Sequence, residues 1–238
     1  MTAFELAIQD PVGIAAAVRV GPDRVELASA LSTGGLTPSI GLIEAAVGAG
    51  LEVHVLVRPR LGDFEYEADE RALLLSDVRA AVAARAAGVV VGGTRHGQAD
   101  LEMVAAVLDA AEGADVTFHR AFDTIRDRLA ALDALAAAGV TRILTSGGAA
   151  RADAALDELR TLSRRAAGAV EIMAGAGIDA SNAAAIAGTG VDAVHASAKR
   201  RVVGTPSITL GSDDRAGSGD HESTDAAVAA AIRDALRA

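Results

Sequence analysis

Ionisable side chains recur on one face of several short segments that are typical of β-strands. In these segments apolar and polar residues alternate, so that the apolar face identifies the polar one. Phe4, Leu6 and Ile8, for example, leave Glu5 on the opposite face. The same alternation places five ionisable residues on polar faces: Glu5, Glu26, Arg58, His119 and His195. Carboxylates and imidazoles exchange protons with substrates and a guanidinium binds anions, so this set is typical of acid–base chemistry on an anionic molecule.

Two interpretations of this set are open. Glu5, Glu26 and Arg58 lie on consecutive segments and could form a paired structural layer, because an isolated buried charge costs several kcal/mol. Ionisable groups also cluster at functional sites, which favours the second interpretation. In that interpretation Arg58 binds an anion, and the candidate acid–base residues are Glu5, Glu26, His119 and His195.

The elements that position these residues alternate along the whole chain. Predicted strands cover residues 4–9, 24–28, 52–59, 88–93, 115–120, 142–146, 170–174 and 193–197. Predicted helices cover residues 11–20, 39–49, 69–86, 100–111, 127–138, 151–166, 180–188 and 222–237. Eight such repeats predict one (β/α)8 barrel domain over residues 1–238, with its site at the C-terminal mouth. Residues 211–222, rich in Gly, Ser and Asp, predict a flexible loop before the last helix.

Loops after the predicted strands add candidate ligand-binding residues at this mouth. Asp63 follows the third strand within RPRLGDF, and Ser146 follows the sixth within TSGG. The AGAG stretch after the seventh strand contains Gly175 and Gly177, and Ser197 ends the eighth. Glycine allows backbone N–H groups to approach an anion closely. The expected partner is therefore a small molecule that carries phosphate or carboxylate.

The composition argues against several classes of function. A formal net charge of −10 disfavours nucleic acids and anionic membranes as partners. The chain has neither an apolar run of about 18 residues nor a signal-like start, so a cytoplasmic protein is expected. Without cysteine there is no disulfide or zinc–thiolate site, and the five histidines lack metal-binding spacing. No metal site is predicted; the alternative is a hard divalent ion on Glu5, Glu26 and Asp63.

Six stretches resemble the motifs of the CutC family. They are DRVELASALSTGGLTPS (23–39), VRPRLGDFEY (57–66), VTFHRAFD (116–123), RILTSGG (142–148), IMAGAGI (172–178) and VHASA (194–198). The resemblance covers nearly the whole chain. It implies a (β/α)8 barrel, a cytoplasmic location, homo-oligomers and a role in copper homeostasis, and copper as a ligand follows from the family name alone. The matched motifs add Arg120 and Asp123 to the candidate ligand-binding residues.

The chain departs from the family pattern at two positions of the first two strands. Many relatives carry Cys there, as proposed Cu(I) ligands, whereas this chain has Ala7 and Ala28. Cu(I) prefers thiolate and thioether ligands. Three hypotheses follow: a role in copper homeostasis, implied by the resemblance; an enzyme acting by acid–base chemistry on a small anionic metabolite; and a non-catalytic interaction scaffold. The residues themselves favour the enzyme.

Overall fold

Eight parallel strands form a closed barrel in the computed structural model, which describes residues 2–204 and 220–237. The strands are β1 Ala3–Ile8, β2 Arg24–Leu27, β3 Val53–Leu56, β4 Gly88–Val91, β5 Asp115–Phe118, β6 Arg142–Thr145, β7 Glu171–Gly175 and β8 Ala193–Ala196. Each strand pairs with its neighbours in the chain, and β8 closes on β1 with His195 opposite Glu5. The predicted (β/α)8 barrel is confirmed.

Helices connect the strands around the outside of the barrel. They are α1 Pro11–Val20, α2 Ile40–Gly48, α3 Ala68–Ala83, α4 Leu101–Ala110, α5 Arg128–Ala138, α6 Leu156–Ala166, α7 Ala183–Ala187 and α8 Ala226–Arg237. Local signals set their ends: Asp10 accepts a hydrogen bond from the Gly13 amide at the start of α1, and Gly21 ends that helix with φ 64°. None of the helices among the described residues is long and apolar enough to span a membrane.

Some elements differ from the prediction. Helix α7 has 5 residues and α6 begins at Leu156, because residues 152–154 form a separate 3-10 turn. Residues 211–219 of the predicted flexible loop lie outside the described residues. Its last part is an ordered strand, because His221–Thr224 pairs antiparallel with Lys199–Val202 beyond β8. Pairing with a distant segment leaves no signal in local composition.

The apolar faces of the strands pack outward against the helices, as the alternation predicts. Phe4, Leu6 and Val25 are buried in one cluster with helix residues such as Ile14 and Leu74. The inward faces hold two much smaller apolar clusters, one built around Leu56 and Val90 and the other around Leu144 and Met173. Most of the remaining side chains inside the barrel are polar.

Paired polar groups close the N-terminal end of the barrel. Arg142 is buried and donates hydrogen bonds to Glu171 Oε2 at 2.6 Å and to Thr117 Oγ1 at 3.1 Å. Arg24 is buried beside them, with its Nη2 4.0 Å from Glu171. A structural ion network therefore exists, but it lies at the bottom of the barrel and contains neither Glu26 nor Arg58.

Candidate active site

A cavity of about 460 Å³ opens at the C-terminal mouth of the barrel. Seven of the predicted site residues line it: Glu26, Arg58, His119, Arg120, Gly177, His195 and Ser197. Its apolar walls include Leu56, Phe64 and Leu144. Five further predicted residues are not among those that line it: Glu5, Asp63, Asp123, Ser146 and Gly175. The size is that of a small-molecule site.

Glu5 lies beneath the cavity and holds His195 in place. Its Oε1 is 2.8 Å from His195 Nδ1, and its Oε2 accepts a hydrogen bond of 2.8 Å from Arg24 Nε. Burial would raise the pKa of Glu5, but the hydrogen bond and charge of His195 and the charge of Arg24 lower it to about 2. Glu5 is therefore a permanent anion at neutral pH. The interpretation that pairs Glu5 with Arg58 in a structural layer does not agree with the structure, because Arg24, directly opposite on β2, forms the ion pair with Glu5.

Glu26 lies level with Ala7 and therefore nearer the C-terminal mouth than Glu5. Its carboxyl group has no hydrogen-bond partner among the described residues. It is 5% exposed and lines the cavity. Carboxylate oxygens of Glu5 and Glu26 and a ring nitrogen of His195 all lie within 4.8 Å of one another. Burial raises the pKa of Glu26 to about 7; the charge of His195 opposes this shift and that of Glu5 adds to it. Glu26 can therefore gain or lose a proton near neutral pH.

His195 faces both carboxylates. Burial alone would lower its pKa, but the negative charge of Glu26 and the hydrogen bond to Glu5 raise it. The contact between Nδ1 and the Glu5 anion places a proton on Nδ1, and the second ring nitrogen remains for exchange.

Arg58 supplies a buried positive charge at the mouth. Its Nη1 donates to the Gly35 carbonyl at 3.0 Å and its Nη2 to the Gly62 carbonyl at 3.2 Å. The Phe64 ring lies 5.3 Å from the guanidinium carbon. Within the described part of the chain no carboxylate forms an ion pair with Arg58, and its Nε–H has no partner. Since a buried charge persists only when it is compensated, this guanidinium is suited to an anion from outside the chain.

His119 is a neutral hydrogen-bond donor beside Arg58. Its Nδ1 accepts a hydrogen bond of 3.1 Å from the Ala121 amide, which assigns the ring proton to Nε2. That Nε2 is buried without a partner among the described residues. Burial and the charge of Arg58 lower the pKa of His119 to about 3. The ring packs against Gly92, where any side chain would collide with Nδ1.

Asp123 binds the loop after β6 rather than facing the cavity. Its carboxylate accepts hydrogen bonds from the Thr145 and Ser146 hydroxyls at 2.5 and 2.9 Å and from the Gly148 amide at 3.1 Å. Arg120 donates to the same carboxylate at 2.8 Å. Asp123 and Ser146 are therefore hydrogen-bonded to each other. Their predicted contact with a ligand stays a prediction.

The glycines after β7 have structural contacts of their own. Gly175 leaves room for Leu144, which would lie 2.6 Å from any added Cβ. Gly177 has φ 67°, and its carbonyl accepts a hydrogen bond of 2.7 Å from Arg151 Nη2. Arg151 and Asp179, which sequence reasoning missed, also line the cavity. Nothing in the local sequence marks them, because they reach the mouth from loops.

Glu5, Glu26 and His195 are the described residues that come close enough together to hold a metal ion. Asp63 is exposed and pairs with Arg60 at 3.1 Å, so the alternative ligand set of Glu5, Glu26 and Asp63 is not assembled. The third group near the two glutamates is His195. A cation there would compete with Arg24, which already neutralises Glu5. Cu(I) does not fit. Ala7 and Ala28 offer no donor, the chain has no Cys, and neither described methionine, Met103 or Met173, lines the cavity.

The fold and the cavity together define a (β/α)8 barrel protein with a partly polar cavity, of the size of a small molecule, at its C-terminal mouth. A model of the CutC family matches residues 2–200. CutC family proteins from Sinorhizobium medicae and Agrobacterium fabrum are both 45% identical to the chain, over 76% and 74% of its length and 74% and 70% of theirs. The chain belongs to the CutC family.

A solved structure agrees with this assignment. A CutC chain from Streptococcus agalactiae, named for copper homeostasis, superposes with a TM-score of 0.79 at 31% identity. The match covers 83% of this chain and 99% of that one.

Proposed function

We propose that the protein is an enzyme that acts by acid–base chemistry on a small anionic metabolite bound at the barrel mouth. The observation that carries this proposal is the Glu26 carboxyl group, which is buried and without a hydrogen-bond partner among the described residues and yet faces an open cavity. A pKa of about 7 suits Glu26 to proton transfer at neutral pH.

Glu26 and His195 form the proton-transfer pair in this proposal. The charge of Glu26 and the hydrogen bond to Glu5 raise the pKa of His195 and so favour its protonated ring, which donates a proton in this proposal, while ionised Glu26 accepts one. Two groups on neighbouring sides of one pocket can deprotonate one atom of a substrate and protonate another. Glu5 keeps His195 oriented and does not itself exchange protons.

Arg58 and His119 bind and polarise the substrate. Arg58 supplies the uncompensated charge for the anionic group. His119, whose pKa of about 3 keeps it neutral, offers an N–H to a carbonyl or hydroxyl oxygen without delivering a proton. The predicted contacts of Arg120, Gly177 and Ser197 with the ligand belong to the same proposal, since these residues also line the cavity.

Participation in copper homeostasis is the second proposal, and it rests on the name of the Streptococcus agalactiae relative. The donor set does not support direct Cu(I) binding as the means. The resemblance to the family also underlies two further expectations, a cytoplasmic location and self-association into homo-oligomers.

A metabolite-binding screen by thermal shift tests the proposed enzyme. The proteins are the wild type, Arg58→Ala and Arg79→Ala, a control on the exposed surface of α3. We expect an anionic metabolite to stabilise the wild type and Arg79→Ala but not Arg58→Ala. Glu26→Gln should bind that metabolite yet fail to turn it over. Equal stabilisation of all three proteins, or none of the wild type by any anionic metabolite, contradicts the proposal.

A further inference from the structure

We infer that the anionic group recognised in the cavity is a carboxylate and not a phosphate. This inference rests on the proposed function, because it assigns the substrate class of the same site. It follows from the charged groups around the cavity and from which of them already have partners.

Arg58 is the one cationic side chain, among the described residues that line the cavity, that lacks a carboxylate partner. Arg120 is paired with Asp123 at 2.8 Å, and Lys199 with Glu222 at 2.7 Å. Beneath the cavity Arg24 pairs with Glu5, and the ring of His195 lies against the carboxylates of Glu5 and Glu26, so these residues supply no cation that lacks a carboxylate neighbour. The cavity therefore offers one uncompensated positive charge.

The loop after β7, where this fold often binds phosphate, carries excess negative charge. Arg151 forms ion pairs with Asp153 at 3.0 Å and with Asp179 at 3.8 Å, so one guanidinium faces two carboxylates. Arg151 also packs on Gly177, and its side-chain atoms come within 2.8 Å of where a Cβ would stand. Helix α7, with 5 residues, is too short to provide an anion site of its own. A phosphate on this side would meet repulsion from Asp179.

The remaining donors match a singly charged group. Arg58 supplies the charge, and the unpartnered His119 Nε2–H supplies a neutral donor beside it. A carboxylate carries one negative charge and is neutralised by Arg58. A phosphate monoester carries nearly two near pH 7, and its second charge would find no cation without a carboxylate partner in a cavity that Glu26 and Asp179 also line.

The test compares paired carboxylate and phosphomonoester probes of similar size, beginning with glycerate and glycerol 3-phosphate. Dissociation constants are measured by titration calorimetry on the wild type, Arg58→Met, Arg58→Lys, Asp179→Asn and the control Arg79→Met. We expect the wild type and the control to bind carboxylates about tenfold more tightly than the matching phosphates. Arg58→Met should lose carboxylate binding, and Arg58→Lys should keep the preference with weaker affinity.

The Asp179→Asn variant tests the inference without a change to a buried residue. Asp179 is half exposed, and removal of its charge should improve phosphate binding several-fold and carboxylate binding to a smaller extent, because the repulsion grows with the charge of the ligand. Tighter binding of phosphates by the wild type would overturn the carboxylate inference but leave the proposed enzyme standing. If neither probe class binds the folded wild type, the proposed function itself fails.

Discussion

Glu5 and Glu26 lie on neighbouring strands of the same barrel, yet their surroundings give them opposite protonation behaviour. Glu5 is held by Arg24 and His195, and its pKa falls to about 2. Glu26 has no such partner among the described residues, and burial raises its pKa to about 7. Pairs of titratable groups whose pKa values are moved apart in this way are typical of acid–base sites. Replacement of each glutamate by glutamine should therefore change the stability of the protein in opposite directions.

Glu26→Gln should stabilise the protein at high pH. The folded-state pKa of about 7 exceeds the ordinary value of 4.5, so the wild type loses stability as the pH rises through this window. The full effect is at most about 3 kcal/mol at pH 8, and it is absent below about pH 4.5. Urea unfolding at pH 5 and pH 8 measures it, with Glu44→Gln on the exposed face of α2 as control. If the free energy of unfolding of Glu26→Gln changes between pH 5 and pH 8 as much as that of the wild type, Glu26 is not the titrating group.

Glu5→Gln should destabilise the protein at pH 7 by about 3–5 kcal/mol, because it leaves Arg24 buried without its carboxylate. The folded-state pKa of about 2 lies below 4.5, so the wild type has this stability above about pH 4.5 and loses it as the pH falls toward 2. NMR titration adds a second measurement, in which the pKa of His195 should fall when Glu5 is neutralised. A variant as stable as the wild type, with an unmoved His195 titration, refutes the positioning role of Glu5.

At the scale of elements, the Asp123 carboxylate, in the turn that follows β5, holds the loop after β6 in place. Asp123→Asn removes the charge that accepts hydrogen bonds from Thr145, Ser146 and Gly148. We expect a loss of about 2 kcal/mol in the free energy of unfolding and faster hydrogen exchange at the Ser146 and Gly148 amides. Asp109→Asn, on the exposed face of α4, is the matched control. Unchanged exchange at both amides would contradict the assignment.

The sequence predicted the barrel and the inward residues because strand alternation is a local pattern with a fixed period of two. It did not predict which inward groups would pair. Arg24 reaches Glu5 because the register sets them opposite each other, and register depends on the whole closed sheet. The strand at His221–Thr224 was missed for the same reason, since its partner Lys199–Val202 is distant in the chain. Loop residues such as Arg151 and Asp179 reach the mouth through turns that no periodicity encodes.

For the molecule as a whole, the barrel divides its polar residues between two levels. At the N-terminal end buried Arg142 pairs with the partly exposed Glu171, and buried Arg24 lies beside them. At the C-terminal mouth Glu26 and Arg58 lack such partners among the described residues, as in the functional hypothesis. The layer of Glu5, Glu26 and Arg58 is therefore not formed, and the functional interpretation of the residues at the mouth stays a proposal. Because a relative of the chain is named for copper homeostasis, Cu(I) binding also has to be considered, and it depends on which Cys and Met side chains the chain contains.

The donor set predicts that the wild type does not retain Cu(I), and that two substitutions create a site. Ala7 and Ala28 both lie on inward faces of adjacent strands, Ala7 lining the cavity and Ala28 buried against Leu56 and Val90. Ala7→Cys/Ala28→Cys would place two thiolates there, the ligands that Cu(I) prefers. Competition with a Cu(I)-specific chelator should show retention by the double variant, weaker retention by either single variant and none by the wild type. A wild type that competes as well as the double variant would show that Cu(I) is bound without thiolates, and direct copper handling would then replace the proposed enzyme as the leading hypothesis.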